Sequence, residues 1–227
     1  MRTLIVGDVH GCLSELQDLI AETRLSKKSD ALVFVGDLVS KGPDSHGVLK
    51  LAREWNAKAA KGNHDAHLLE VRRGNETRKK HVEVAKSLDE DDWRFLEAMP
   101  LWVRLPGMIV VHGGLVPGIP LEQQEEEALL NMRSLIPDGK WSKKIENGVP
   151  WASLWTGPER VVFGHDAMRG LQRWPHALGL DSGCVYGKKL TGLLLPDDVL
   201  VSVPARQQWA AIDGLHLAEQ PGSRSGK

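Results

Sequence analysis

Five times in this chain a short apolar stretch gives way at once to glycine and a side chain able to bind a metal. Residues 3–6 run into Gly7-Asp8-Val9-His10-Gly11, and residues 31–35 into Gly36-Asp37. Residues 108–111 run into His112-Gly113-Gly114, and residues 161–163 into Gly164-His165. A fifth cluster, Gly62-Asn63-His64-Asp65, follows the weaker stretch 56–61. Apolar, β-branched runs of this length read as buried strands. In layered α/β proteins the carboxyl ends of strands share a rim, and ligands bind in the loops there. One such cluster is an ordinary strand-to-loop turn; five in one chain point to a common site.

The rest of the chain supports that architecture. Further strand patterns lie at 190–195 and 199–203, and helical patterns at 14–24, 44–54, 64–86 and 89–98. Strand–helix alternation early and strand-rich sequence later imply a layered α/β domain. With 227 residues, 41% of them hydrophobic, the chain is long enough for one large domain, taken as 1–213. The end, 214–227, gains Gly, Ser and Pro and loses periodicity, so a disordered tail is expected there. The 29 Lys and Arg nearly balance 30 Asp and Glu, which argues against a general nucleic-acid-coating surface. No apolar stretch approaches the ~20 residues that span a bilayer. The N-terminus is too short in apolar residues for a signal peptide, so a cytoplasmic protein is expected. Cys12 and Cys184 lack the spacing of a zinc or redox site and read as small hydrophobes.

Asp carboxylates, His imidazoles and an Asn carbonyl form a mixed oxygen and nitrogen donor set without thiolate. It suits Mn²⁺, Fe or Zn²⁺ better than Ca²⁺ or a structural zinc. Asp8, His10, Asp37, Asn63, His112 and His165 are too many donors for one catalytic ion with open positions. They suit two ions if a carboxylate bridges, the arrangement that stabilises both oxygens of an in-line phosphoryl displacement.

In that order the series GDVHG, GDLVSKG, GNHD, HGG and GH resembles the calcineurin-like metallophosphoesterases. Within them it resembles the branch that holds the bacterial symmetrical diadenosine tetraphosphatases and the Ser/Thr protein phosphatases. Leu180-Asp181-Ser182-Gly183-Cys184-Val185-Tyr186-Gly187, followed by Lys189-Leu190-Thr191, and the Asp at 65 in GNHD point to the tetraphosphatases. The resemblance implies an α/β/β/α sandwich of two mixed sheets flanked by helices, with a dimetal site at the strand carboxyl ends. It implies that Asp8, His10 and Asp37 hold one metal, and that Asp37 bridges to a second held by Asn63, His112 and His165. Two divalent ions are implied, Mn²⁺ first and Co²⁺, Fe or Zn²⁺ as alternatives. His64 becomes the acid for the leaving oxygen, with Asp65 orienting its ring and favouring the imidazolium. Lys41 stands where the family commonly has Arg, so it neutralises phosphate without the bidentate fork. Arg133, Arg72 and Tyr186 complete the candidate substrate-binding set.

The implied reaction is symmetric hydrolysis of diadenosine tetraphosphate to two ADP, with hydroxide supplied by the metal pair. The alternative is a Ser/Thr or Tyr protein phosphatase acting on a phosphoprotein with the same centre. A silent scaffold is disfavoured by the complete donor set. Only 52 residues separate His112 from His165, where related enzymes often carry a longer insertion. Six of the eight tryptophans fall between residues 93 and 174, and packing is the favoured reading for them. His46, His67, His81, His176 and His216 receive no role.

Overall fold

Alternation of side chains along four short strands builds the layers. The computed structural model describes residues 1–211; the tail expected at 214–227 lies outside them. In chain order the strands are β1 (Thr3–Val6), β2 (Ala31–Phe34), β3 (Lys58–Ala59), β4 (Trp102–Leu105), β5 (Met108–Val111), β6 (Ser134–Leu135) and β7 (Trp141–Ser142). They continue with β8 (Val149–Pro150), β9 (Arg160–Phe163), β10 (Gln172–Arg173), β11 (Ala177–Gly179), β12 (Lys189–Leu195) and β13 (Val199–Pro204). The helices are α1 (Leu13–Thr23), α2 (Ser45–Glu54), α3 (Asn63–Arg72), α4 (Lys79–Lys86), α5 (Glu90–Ala98) and α6 (Glu126–Asn131).

One five-stranded sheet runs β13-β12-β1-β2-β3, and the other runs β10-β11-β9-β5-β4. Each has a parallel trio, β1-β2-β3 and β5-β9-β11, extended by antiparallel strands. Successive strand side chains point to opposite faces. Leu4, Val6, Leu32 and Phe34 therefore pack toward α1, α2, α3 and α5, while Ile5 and Val33 face the second sheet. Likewise Ile109, Val111, Val161 and Phe163 face α6 and Trp151, while Val110 and Val162 turn back to the first sheet. Three hydrophobic cores between four layers give the expected sandwich of two mixed sheets flanked by helices. Burying each of these side chains contributes roughly 1.5–3 kcal/mol.

The helix expected over 64–86 is two helices, α3 and α4, interrupted at Gly74, whose φ of 81° lies in the left-handed region. Trp151, fully buried, packs on Phe163 with ring centroids 4.8 Å apart, and its indole donates to the Gly113 carbonyl at 3.0 Å. That bond fixes the loop after β5 against the second core.

Candidate metal centre

Each parallel trio ends in loops on the same rim, and Asp37 leaves β2 at their meeting point. Its Oδ2 lies 3.4 Å from Nε2 of His10 and 3.4 Å from Nε2 of His112. Its Oδ1 accepts from the His64 backbone N–H at 2.8 Å. The two imidazoles are oriented from behind. Nδ1 of His10 meets the Val39 carbonyl at 3.1 Å, and Nδ1 of His112 meets the Val35 carbonyl at 3.2 Å. A carbonyl only accepts, so Nδ1 carries a proton in each ring and Nε2 is the atom left to face a metal. Nε2 of His112 also lies 3.0 Å from Oδ1 of Asn63. Nε2 of both rings, Oδ2 of Asp37 and Oδ1 of Asn63 thus converge, an arrangement that a bound cation would satisfy.

Asp8 and His165 close the other side. The His165 N–H donates to both Asp8 oxygens, at 3.2 and 3.0 Å, and Nε2 of His165 donates to the Asn131 carbonyl at 3.0 Å. That leaves Nδ1 of His165 as its free donor atom. At this rim donor atoms fall into two groups within 4.8 Å, His10-Asp37-His64 and Asp8-Asp37-His112, and Asp37 belongs to both; a third group, His46-Asp89-Asp92, lies on α2 and the start of α5. All six sequence-predicted ligands therefore meet at one rim.

Charge makes the same demand. Asp8, Asp37, Asp65 and Asp181 are buried here, against the ammonium of Lys41 and the half-buried Arg133. Burial, then Asp181, pushes the Asp8 carboxyl well above its ordinary value. His112 moves up to about 9: burial opposes its charged form, but Asp37 outweighs burial. Two divalent cations fit both the charge deficit and the oxygen–nitrogen donor set. Backbone strain is concentrated here as well. Of eight non-glycine residues with positive φ among the described residues, five lie in this site: His10, Asp37, Ser40, Lys41 and His165. Strain of that kind persists where surrounding structure over-determines it, and it clusters at functional sites. Gly62 and Gly164 are glycines for a steric reason: a Cβ would strike the Asp37 carboxylate in the first case and Oδ1 of Asp8 in the second.

The site opens into a cleft of about 510 Å³ lined by Lys41, Arg133 and Tyr186, so three of the four predicted substrate-binding residues reach it. Nζ of Lys41 donates to the Tyr186 hydroxyl at 2.8 Å and lies 3.1 Å from Nε2 of His10. Arg133 is braced by the carbonyls of Lys143 and His165, at 2.9 and 3.0 Å. Arg72 is a correction. It pairs with Glu90 at 2.9 Å and lies over the Trp93 ring, away from the cleft. The role expected of Asp65 also changes. Its carboxylate accepts from the backbone N–H groups of Asp37 (2.8 Å), Leu38 (3.1 Å) and Gly62 (2.8 Å), and it makes no hydrogen bond to the His64 ring. His64 lines the cleft, but its Nδ1 is buried without a partner among the described residues. Burial, with His10 and Lys41, holds its imidazole down to about 2 rather than favouring the imidazolium. Among the described residues no tryptophan lines the cleft.

Sequence reasoning did not assign Asp181, Lys143 or Lys144, all of which line the cleft. Asp181 follows β11 as Asp8 follows β1, but β11 has only three residues and left no strand pattern to read.

A model of the calcineurin-like phosphoesterases matches residues 1–187. The chain belongs to that family. It is a metal-dependent hydrolase whose family implies a dimetal site. A symmetrical bis(5'-nucleosyl)-tetraphosphatase of Aromatoleum aromaticum is 30% identical over 272 aligned positions, covering 92% of this chain and 98% of the relative. An asymmetrical bis(5'-nucleosyl)-tetraphosphatase of Oceanobacillus iheyensis is 28% identical, covering 93% and 95%. A crystal structure provisionally named a diadenosine tetraphosphatase superposes with a TM-score of 0.84 at 42% identity, covering 90% of this phosphoesterase and 93% of that chain. The alignment with the Aromatoleum relative is longer than this chain, so that relative carries residues absent here.

Proposed function

We propose that the chain hydrolyses dinucleoside polyphosphates, cleaving diadenosine tetraphosphate symmetrically into two ADP. The observation carrying the reading is Oδ2 of Asp37 set 3.4 Å from an imidazole nitrogen on each side, the geometry of a carboxylate shared between two cations. Bound there, the two cations supply Lewis acidity and an acidified water near neutral pH. Asp8, His10, Asp37, Asn63, His112 and His165 hold them, with Mn²⁺ proposed first and Co²⁺, Fe or Zn²⁺ also compatible with this donor set. Lys41 and Arg133 both line the cleft and bind phosphoryl oxygens, with Tyr186 steadying the Lys41 ammonium. Lys144 extends the positive charge along the cleft, and Lys143, whose ammonium pairs with Glu127, lines it beside Lys144. Four cations in one cleft match a polyphosphate better than the single phosphate of a phosphoprotein. In the free protein the His64 ring is neutral; it holds the proton delivered to the leaving oxygen once the negative charge of the bound polyphosphate favours the imidazolium, and Asp65 acts on that step only by fixing the loops around it. The names of the relatives support the substrate. Among the described residues no helix is long and apolar enough to cross a membrane, and Cys12 and Cys184 are free and buried. A cytoplasmic setting agrees with those thiols.

The test is a product analysis. Incubation with Mn²⁺ and diadenosine tetraphosphate, followed by anion-exchange separation, should give ADP alone. AMP with ATP would instead match the Oceanobacillus relative's asymmetric cleavage. Release of phosphate from phosphopeptides with the dinucleotide left intact would move the assignment to a protein phosphatase.

A further inference from the structure

Beside the cleft lies a second chamber of about 290 Å³, and Lys41 and His64 line both. Its remaining walls include Ser40, Lys80, His81 and Ala211. Ser40 is 2% exposed and His81 is 1% exposed. Oγ of Ser40, Nδ1 of His64 and both ring nitrogens of His81 have no hydrogen-bond partner among the described residues. Buried polar groups are nearly always paired, and each one left alone costs about 1–3 kcal/mol. Three residues lining one chamber thus carry unpaired polar atoms just beneath its wall, where a small movement of their side chains would bring them to a polar occupant.

His81 is held rather than loose. Its ring stacks on His67 at 5.2 Å and meets His64 edge-on at 5.9 Å. Burial, then Arg78, pushes its pKa down to about 4, so the ring is neutral and offers one donor and one acceptor. Glu76 is the carboxylate facing it, at 3.6 Å, beyond hydrogen-bonding distance. The volume is just below the ~300–1,000 Å³ of pockets that enclose whole drug-sized ligands. It admits one nucleoside-sized fragment and not a dinucleotide.

We infer that this chamber receives the nucleoside end of the departing ADP, hydrogen-bonded by His81 and Ser40, with Lys41 and Lys80 meeting its phosphates. The inference rests on the dinucleotide reading above. His64 stands between the two cavities, where the acid for a leaving group belongs when that group extends into the chamber. The resemblance read from the sequence gives no role to α4, from which Lys80 and His81 project.

Two variants test it. Ala211→Trp blocks an exposed part of the wall, and His81→Leu removes both ring nitrogens at similar size. ADP and inorganic phosphate are titrated calorimetrically into the metal-free protein. Each variant should weaken ADP about tenfold or more, the effect of losing one or two hydrogen bonds to buried groups, while phosphate binding stays the same. Unchanged ADP affinity in the folded variants, or a parallel loss of phosphate affinity, overturns the inference. Should His81→Leu fail to fold, Ala211→Trp decides alone. With metal restored, the ratio of kcat/KM for diadenosine tetraphosphate to that for p-nitrophenyl phosphate should fall in step with ADP affinity. A wild-type protein that releases no ADP from the dinucleotide defeats the substrate reading, while the ADP titration still settles the chamber.

Discussion

Asp37 divides its carboxylate between two tasks. Oδ1 caps the His64 N–H and so anchors the GNHD loop, while Oδ2 faces His10 and His112. Asp37→Asn keeps the size but removes the charge and sets a donor or a neutral oxygen between two lone pairs. Metal content by mass spectrometry should fall from two ions to one or none, with hydrolysis lost. Two retained ions would show that Asp37 bridges nothing. His64→Asn should behave differently, because the six proposed ligands remain. We expect kcat to fall by ~10²–10⁴, the usual contribution of a general acid, with metal content unchanged. Metal loss in that variant would place His64 among the ligands, as its membership of the His10-Asp37 group allows.

At the scale of elements, what could be read from the chain was what short-range pattern determines. Strands β1, β2, β5, β9, β12 and β13 and the loops that follow four of them were legible because apolar runs and glycine-flanked polar residues are local signals. Strands β10 and β11 and the small sheet of β6, β7 and β8 were not, because two- and three-residue strands exist only through their partners. That these six residues would converge was legible from their types, but the left-handed backbone of His10, Asp37 and His165 was not, since none is glycine. Asp65 shows how a motif position can be right and its role wrong. As the third residue of α3 it accepts from Gly62 at its own helix start and reaches across to the backbone after β2. Asp65→Asn leaves one oxygen for three N–H groups, two of which converge on Oδ2. Stability should fall by about 1–3 kcal/mol for each group stranded, read from urea denaturation of the metal-free protein. A variant with unchanged stability and reduced kcat alone would restore the ring-orienting role.

Taken whole, the molecule is two sheets whose facing rims both feed one acidic centre, so cations should hold it together as well as drive its chemistry. Anything bound to the folded state alone stabilises it, by about 2.7 kcal/mol at a hundred times its dissociation constant. Chelation should therefore lower the melting temperature, Mn²⁺ should restore it in a concentration-dependent way, and Asp37→Asn should lose most of that response. Far from the centre, a different charge cluster ties the N-terminus to the start of β2. Asp30 accepts from the backbone N–H groups of Ser26 (2.9 Å) and Arg2 (3.0 Å) and from the Arg2 guanidinium (2.8 Å). Those bonds, Ser26 first, hold its carboxyl well below the usual range. A carboxylate depressed in the folded state stabilises fully above its unfolded pKa of about 3.9, and that contribution is lost as pH falls through the folded value. Asp30→Asn should therefore melt lower than wild type at pH 7, and the gap should close below about pH 4. Run in chelator, the difference between the two melting curves isolates this residue from the acidic centre. A gap that stays constant to the lowest pH at which both proteins fold would mean that Asp30 acts through packing rather than charge.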